Sequence, residues 1–171
     1  MMVTRPFNFK KWIDEHRHLL KPPVMNQVVY KGNDDFIVMV VGGPNKRKDF
    51  HYNETEEFFY QLEGNIVVKI LEDGKIVDMN INEGDIFLLP ARTPHSPRRT
   101  EGSVGLVMEI NRPTDVLDAF MWFCENCSNK LYEEKLRVDD IVKDLPDVME
   151  RFYSNKDLCT CIKCGKVMEK P

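Results

Sequence analysis

The chain has 171 residues, of which 42% are hydrophobic and 30% are charged, and its formal net charge is −4. This length suits one domain, or one domain with an extension, and the composition is ordinary for a globular protein with a sizeable core. The acidic balance argues against nucleic acid or an anionic membrane surface as a partner.

The sequence contains no targeting or membrane segment that we recognise. The longest apolar run, residues 36–41, is far shorter than the about 20 residues that a membrane-spanning helix needs. The first six residues, MMVTRP, lack the apolar core and the small-residue cleavage site of a signal peptide. We therefore expect a cytoplasmic protein, whose five cysteines are metal ligands or free thiols rather than disulfides.

The predicted elements begin with an amphipathic helix that Asn8 caps and that ends near Leu20, before two prolines. From there to about residue 111, short β-rich runs alternate with turn residues. The predicted strands are 27–30, 35–41, 56–62, 65–71, 75–80, 85–89 and 104–111. Short strands at such regular spacing predict an all-β sandwich or jelly-roll barrel rather than an α/β fold.

After Pro113 the character of the sequence changes, which divides the chain into residues 1–113, a barrel with its N-terminal helix, and residues 114–171, a C-terminal extension. In the extension, Thr114 is expected to cap a short helix over 115–120, and a strand is expected over 131–138. Apolar residues at helical spacing over 139–153 predict a helix, which Pro146 divides or kinks.

Two segments between His51 and Arg99 contain candidate metal ligands. His51 and Glu57 are six residues apart, which is about 20 Å in an extended strand, so the chain must turn between them if both bind one ion. His95 lies in the second segment, close to two prolines. Two histidines and one carboxylate can occupy one face of an octahedral Fe(II) and leave positions open for substrate and O2. A single histidine is more often a surface or hydrogen-bonding residue, so the joint pattern favours a metal site.

Four cysteines form two Cys-x-x-Cys pairs, Cys124 with Cys127 and Cys161 with Cys164. Four thiolates suffice for a closed tetrahedral site for zinc or iron, which leaves no position for a substrate, so we assign this site to structure. The 33 residues between the pairs exceed the usual zinc-finger spacing, and reduced thiols without a metal are the alternative. Cys159 is left over.

The two metal-ligand segments resemble the two motifs of the cupin superfamily. The matching residues are His51, Glu57 and Gly64 in the first motif and Gly84, Pro90, His95 and Arg99 in the second. The generic first motif has a second histidine where this chain has Asn53, so three ligands remain and more coordination positions stay open. Arg92 replaces the generic glycine of the second motif and Arg99 its terminal asparagine. We interpret Arg99 as the sign of an anionic substrate.

Longer runs narrow the resemblance. They are PFNF (6–9), WIDEH (12–16), LLKPPV (19–24), VVGGPN (40–45), EEFFYQL (56–62) and GDIFLLP (84–90). With the C-terminal cysteine pairs, they resemble the 3-hydroxyanthranilate 3,4-dioxygenase family in its short, single-cupin microbial form. The resemblance covers nearly the whole chain and implies a cupin jelly-roll (double-stranded β-helix) barrel with short peripheral helices and a four-cysteine extension.

The resemblance also implies a reaction. O2 would open the ring of 3-hydroxyanthranilate to give 2-amino-3-carboxymuconate semialdehyde, on the kynurenine route through quinolinate to NAD. His51, Glu57 and His95 would bind the catalytic Fe(II), and a second iron or zinc would bind at the four cysteines.

Four further residues receive substrate roles from the resemblance. Arg47 and Arg99 would hold the substrate carboxylate, for which a guanidinium fork is suited. Glu109 would face the hydroxyl and amino groups as a proton acceptor, and Asn26 would line the pocket. By composition alone both arginines would more often face solvent, and Glu109 would be as frequent on the outer face of its strand as on the inner face.

Two other classes of function stay open at this point. One is a cupin isomerase or a dioxygenase for another small acid, although Asn53 disfavours the four-ligand isomerase site. The other is a non-catalytic cupin that binds a small molecule and carries a structural zinc. Exposed strand edges are also consistent with a homodimer.

Overall fold

A computed structural model describes residues 5–21, 25–30, 35–113, 115–138 and 141–171, the first three residues of the last range by their backbone only. The strands are β1 (Asn26–Val28), β2 (Phe36–Gly42), β3 (Phe50–Tyr52), β4 (Glu57–Glu63), β5 (Ile66–Glu72), β6 (Lys75–Ile81), β7 (Ile86–Leu89), β8 (His95–Arg99), β9 (Val104–Ile110), β10 (Asp118–Phe123) and β11 (Lys130–Leu136). The helices are α1 (Phe9–His16), α2 (Ile141–Tyr153) and α3 (Lys156–Cys159), and a 3₁₀ turn, Arg17–Leu19, follows α1.

The strands form two antiparallel sheets that face each other. The first sheet has the order β1-β2-β9-β4-β7 and the second the order β11-β10-β3-β8-β5-β6. Both sheets contribute to the core between them, which consists of Phe59, Ile66, Val68, Ile70, Ile81, Leu89 and Val107. The predicted all-β jelly-roll barrel with short peripheral helices is confirmed.

The seven strands predicted before residue 111 are all present, and their bounds differ by at most two residues at either end. The strand predicted over 131–138 is present as β11. Alternating burial explains this agreement, as in β5, where Ile66, Val68 and Ile70 are buried and the residues between them are not.

The helix predicted over 115–120 is wrong, because the second half of this segment, from Asp118 on, belongs to β10. This strand pairs with β3 on one side and with β11 on the other, and all six of its residues are buried. Aromatic residues such as Phe120 and Trp122 suit a strand that is covered on both faces. Thr114, the expected helix cap, lies outside the described residues.

The helices agree with the sequence in most respects. The side chain of Asn8 accepts a hydrogen bond of 2.9 Å from the backbone N–H of Lys11 and caps α1, as predicted. The predicted stop at Pro22 and Pro23 falls on residues outside the described part. Pro146 does not divide α2, which runs as one helix through this residue, and a kink there stays a prediction. None of the helices in the described ranges has the length and apolar character that crossing a membrane would need.

The C-terminal helices pack on the far end of the second sheet. Their shared core consists of Phe120, Trp122, Leu145, Val148, Phe152, Cys159 and Met168. Within it the rings of Trp122 and Phe152 stack with their centroids 4.5 Å apart. Phe120 also stacks on His51 in the barrel, at 5.4 Å between centroids. The extension core is therefore continuous with the barrel wall behind His51, and the division at residue 113 stays a prediction.

Candidate active site

Alternation along the strands places polar side chains inside the barrel. On β4 the buried residues are Glu57, Phe59 and Gln61, which alternate along one face of the strand. On β9 Glu109 is also buried, and it lies directly across the ladder from Glu57. Two carboxylates therefore lie side by side in the barrel interior.

Three potential metal ligands converge beside these carboxylates. His51 on β3 and His95 on β8 are cross-strand partners, and their ring centroids are 5.3 Å apart. Glu57 reaches them from the opposite sheet, because the chain crosses between the sheets after Tyr52, as the sequence required. One ligand atom from each of the three residues lies within 4.8 Å of the others.

This donor set fits a divalent cation. Oε2 of Glu57 is 3.0 Å from Nε2 of His95. Even so, that oxygen is buried and makes no hydrogen bond with suitable geometry to any described residue. A buried carboxylate oxygen without a hydrogen bond is costly, and a metal ion held by the same three side chains would satisfy it. Two imidazoles and one carboxylate that leave positions open are the donor set of non-haem Fe(II) oxygenases.

The two neighbouring carboxylates have pKa values that are displaced in opposite directions. Burial acts to raise the pKa of Glu57, but the charge and contact of His95 outweigh it and hold that pKa below its ordinary value. Burial, together with the negative charge of Glu57, raises the pKa of Glu109. Glu109 is thus the one of the pair that holds a proton more readily.

Arg99 is a buried cation at the end of β8. Its Nη1 atom has no hydrogen-bond partner in the described part of the chain, and burial lowers the pKa of Arg99 to about 10. A buried guanidinium without a partner is stabilised by an anion. A bound anion would satisfy this group, and the role of Arg99 in binding an anionic substrate stays a prediction.

Gly105 provides the room that the Arg99 side chain occupies. A Cβ atom at this glycine would lie 2.8 Å from Nη1 of Arg99 and 2.9 Å from Oε1 of Gln61. Both of those atoms are the ends of flexible side chains. A larger residue at position 105 would therefore move the guanidinium rather than the backbone.

Arg47 differs from Arg99, because it already has a carboxylate partner. Its Nε donates to Oδ1 of Asp49 at 3.0 Å, and its Nη2 donates to the other oxygen of the same fully buried carboxylate. The charge of Arg47, after the opposing effect of burial, lowers the pKa of Asp49. Asn26, the other predicted pocket residue, lies half-buried on β1 at the edge of the first sheet.

Two residues that the sequence did not single out contact the site. Oδ2 of Asp118 lies 2.7 Å from Nε2 of His51, and Oδ1 of Asp118 accepts from Nε of Arg112 at 2.7 Å. Arg112 in turn donates from Nη2 to Oε2 of Glu109 at 2.6 Å. The sequence offered one sign of Asp118, a single aspartate at the start of the apolar run DAFMWF. This aspartate is notable only when the run is recognised as a strand.

The four paired cysteines form a second candidate metal centre. Their Sγ atoms lie within 4.8 Å of one another, and the Sγ–Sγ distance is 3.5 Å from Cys124 to Cys164 and 3.6 Å from Cys127 to Cys161. Thiolates about 2.3 Å from one tetrahedral ion would be about 3.8 Å apart, so the set fits zinc or iron. Cys159 is not in the set, since it is buried in the extension core and donates to the carbonyl of Phe152.

The two cysteine loops have the same backbone design. The N–H of Ser128 bonds to the carbonyl of Cys124 at 2.9 Å, and the N–H of Gly165 bonds to the carbonyl of Cys161 at 2.8 Å. Ser128 and Gly165 both have left-handed backbone, with φ of 55° and 73°. Two equivalent knuckles are what a closed four-thiolate site needs.

Known proteins resemble this chain over most of its length. The sequence model of the family described as 3-hydroxyanthranilic acid dioxygenase matches residues 1–153. A 3-hydroxyanthranilate 3,4-dioxygenase of Jannaschia sp. is 54% identical over 162 residues, 94% of this chain and 89% of that protein. One from Xanthomonas campestris pv. campestris (strain B100) is 46% identical over 170 residues, 99% of this chain and 96% of that protein. A solved cupin-2 domain protein from Shewanella frigidimarina is 18% identical, with a TM-score of 0.49 over 61% of this chain and 94% of its own.

We expect each chain to bind two metal ions at independent sites. His95→Ala should lose the ion of the barrel and keep that of the cysteines, whereas Cys161→Ser should do the reverse, because the two ligand sets share no residue. Metal content per chain after anaerobic loading, measured by plasma mass spectrometry, checks this. Cys159→Ser is the matched control and should keep both ions, so loss of an ion in that variant would contradict the assignment.

Proposed function

Because the chain belongs to the 3-hydroxyanthranilic acid dioxygenase family, we propose that it opens the ring of 3-hydroxyanthranilate with O2. The product is 2-amino-3-carboxymuconate semialdehyde, which cyclises to the NAD precursor quinolinate. The single observation that carries the proposal is the pairing of two unsatisfied groups in one barrel. A triad of metal ligands includes a carboxylate oxygen without a hydrogen bond, and the buried guanidinium of Arg99 has a nitrogen without one.

His51, Glu57 and His95 are the residues that we propose to hold the catalytic metal, and Fe(II) is the ion that their donor set favours. When bound, Fe(II) supplies the redox chemistry that a reaction between an aromatic ring and O2 requires. The residues themselves fix where that chemistry takes place. They lie in the interior of the barrel, on strands from both sheets, so neither sheet alone forms the site.

Arg99 is proposed to bind the substrate carboxylate. Its unpartnered Nη1 is available to an incoming anion, and a hydrogen bond between two charged groups is stronger than one between neutral groups. Arg47 is proposed to contribute from the loop before β3, where Asp49 holds its guanidinium in a fixed orientation. Asn26 is proposed to line the pocket.

Glu109 is proposed to accept the proton of the substrate hydroxyl. Burial and the neighbouring Glu57 raise its pKa, so it binds a proton more strongly than an ordinary carboxylate does. Arg112 occupies Oε2 of Glu109, which leaves Oε1 for the substrate. Proton transfer to Glu109 increases the electron density of the ring before it reacts.

The four-cysteine centre is proposed to be structural and to hold zinc or iron. It joins the loop after β10 to the end of the chain, and so ties the C-terminal part (114–171) to the barrel part (1–113). The cytoplasm is the proposed compartment, since all five cysteines are unpaired thiols and four of them must stay reduced to bind a metal.

A homodimer is proposed through the outer face of the first sheet. Large apolar side chains cover this face on four adjacent strands, and the most exposed are Phe36, Tyr60, Ile86, Leu88 and Ile110. Phe36 lies across from Ile110, and Tyr60 lies across from Ile86, so the patch is continuous. An uncharged patch of this kind is best covered by another apolar surface, and a second copy of the same face supplies one. This face, rather than a strand edge, is the surface that we propose.

Turnover tests the proposed reaction. The protein is loaded anaerobically with Fe(II) and mixed with 3-hydroxyanthranilate in aerated buffer, and we expect O2 uptake to match the absorbance of the semialdehyde. His51→Ala, which keeps the four-cysteine centre, should show no turnover. If the wild type binds iron but is inactive, the substrate is wrong. If both proteins are active, His51 is not a ligand of the catalytic metal.

Gly105→Ala tests the role of Arg99. Displacement of the guanidinium should raise KM for 3-hydroxyanthranilate by roughly ten- to hundredfold, because a hydrogen bond to a charged group contributes about 1.5–3 kcal/mol. The free energy of unfolding, measured in urea, should change by less than about 1 kcal/mol, since only flexible side chains move. With 2-aminophenol, which lacks the carboxylate, the variant and the wild type should have equal KM. An equal loss with both compounds would exclude a role in carboxylate binding.

Leu88→Lys tests the proposed dimer. A charge in the middle of the apolar face should give a monomer, whereas the wild type should be a dimer by light scattering after size exclusion. Ile162→Lys is the control, because Ile162 is 95% exposed and lies outside this face. A monomeric wild type, or a variant that stays dimeric, would rule out this interface.

A further inference from the structure

Four side chains form a continuous line of contacts behind the candidate active site. Asp118 contacts His51 through Oδ2 and Arg112 through Oδ1, each at 2.7 Å, and Arg112 contacts Glu109 at 2.6 Å. The side chain of Asp118 is fully buried, and that of Arg112 is 15% exposed. The line therefore joins a proposed metal ligand at one end to the proposed proton acceptor at the other.

The line crosses three separate pieces of the fold. His51 lies on β3, Asp118 is the first residue of β10, and Arg112 follows the end of β9, on which Glu109 lies. β3 and β10 are neighbours in the second sheet and β9 belongs to the first, so the contact between Asp118 and Arg112 joins the two sheets at this point. A shift of one sheet relative to the other would change the distance from His51 to Glu109. The contact between Asp118 and Arg112 opposes such a shift.

We propose that Asp118 and Arg112 are positioning residues that fix His51 and Glu109 relative to each other. This inference rests on the proposed function. Asp118 is hydrogen-bonded to Nε2 of His51 and leaves Nδ1 for the metal. Arg112 occupies one carboxylate oxygen of Glu109 and leaves the other for the substrate. Neither positioning residue needs to touch substrate or metal, and each acts through the residue that it holds.

The contact geometry distinguishes this pair from an ordinary surface ion pair. Each oxygen of Asp118 has its own partner, so the carboxylate cannot rotate without losing a contact. Arg112 uses Nε for Asp118 and Nη2 for Glu109, so its planar fork sets the angle between the two carboxylates. Lysine has the same charge but lacks this fork.

Two substitutions separate the two halves of the proposal. Asp118→Asn keeps the shape of the side chain but removes the charge that orients His51, and we expect Fe(II) affinity to fall by about 10- to 100-fold. Arg112→Lys keeps the charge but removes the fork that orients Glu109. We expect it to lower kcat by about tenfold or more, with a smaller effect on Fe(II) affinity.

The measurements do not all depend on turnover. Anaerobic competition with a chromogenic chelator gives Fe(II) affinity, and the visible spectrum of the Co(II)-loaded protein reports the ligand field at His51. Asp118→Asn should change both in the absence of substrate. If the wild type proves inactive on 3-hydroxyanthranilate, these two readouts still decide the role of Asp118, so failure of the proposed function remains distinguishable.

Glu63→Gln is the matched control, because Glu63 forms an exposed arginine–carboxylate pair with Arg17 at the end of β4, six positions and about 20 Å along the strand from Glu57. It should leave Fe(II) affinity, the Co(II) spectrum and kcat unchanged. Wild-type Fe(II) affinity and Co(II) spectrum in Asp118→Asn would overturn the role of Asp118, and wild-type kcat in Arg112→Lys would overturn that of Arg112. If Asp118→Asn loses the metal of the cysteine centre as well, it has not folded, and Arg112→Lys then decides the proposal by its kcat.

Discussion

Glu57 and Glu109 face each other across the β4–β9 ladder, inside the barrel and away from bulk water. Two carboxylates at this register repel each other, and burial adds to the cost of ionising both. The surrounding residues shift the pKa values of the two carboxylates in opposite directions. His95 lies against Glu57 and favours its charged form, whereas Glu109, beside Arg112, retains a raised pKa. One carboxylate is thereby prepared to bind a cation and the other to bind a proton.

The same constraint explains which groups the barrel leaves without partners. Three buried carboxylates, those of Glu57, Glu109 and Asp118, surround the site, and two arginines, Arg99 and Arg112, oppose them. If the histidines are neutral, as metal ligands must be, a divalent cation and one substrate carboxylate would bring this set to electrical neutrality. The two unsatisfied atoms, on Glu57 and Arg99, are those next to which these charges would lie. The charges of these residues thus favour a metal ion together with an anionic ligand.

The sequence predicted the strands that have one apolar, buried face and one polar, exposed face. It did not predict β3, β8 and β10, which lack this pattern. In β8 the residues are HSPRR and in β3 they are FHY, so the inward face is polar and the usual alternation is absent. In β10 both faces are covered, and the run gave no alternation at all. His51, Glu57 and His95 were accessible through their motif spacing. Asp118 was not, because 67 positions separate it from His51 and only the order of the sheet brings them together.

The C-terminal extension, residues 114–171, contacts the site directly. Asp118, Phe120 and Trp122 alternate along one face of β10. The first contacts His51, the second stacks on the ring of His51, and the third stacks on Phe152 in the extension core. The cysteine centre closes the loop that directly follows this strand. A metal ion bound there would therefore help to fix the end of β10, the strand against which His51 lies.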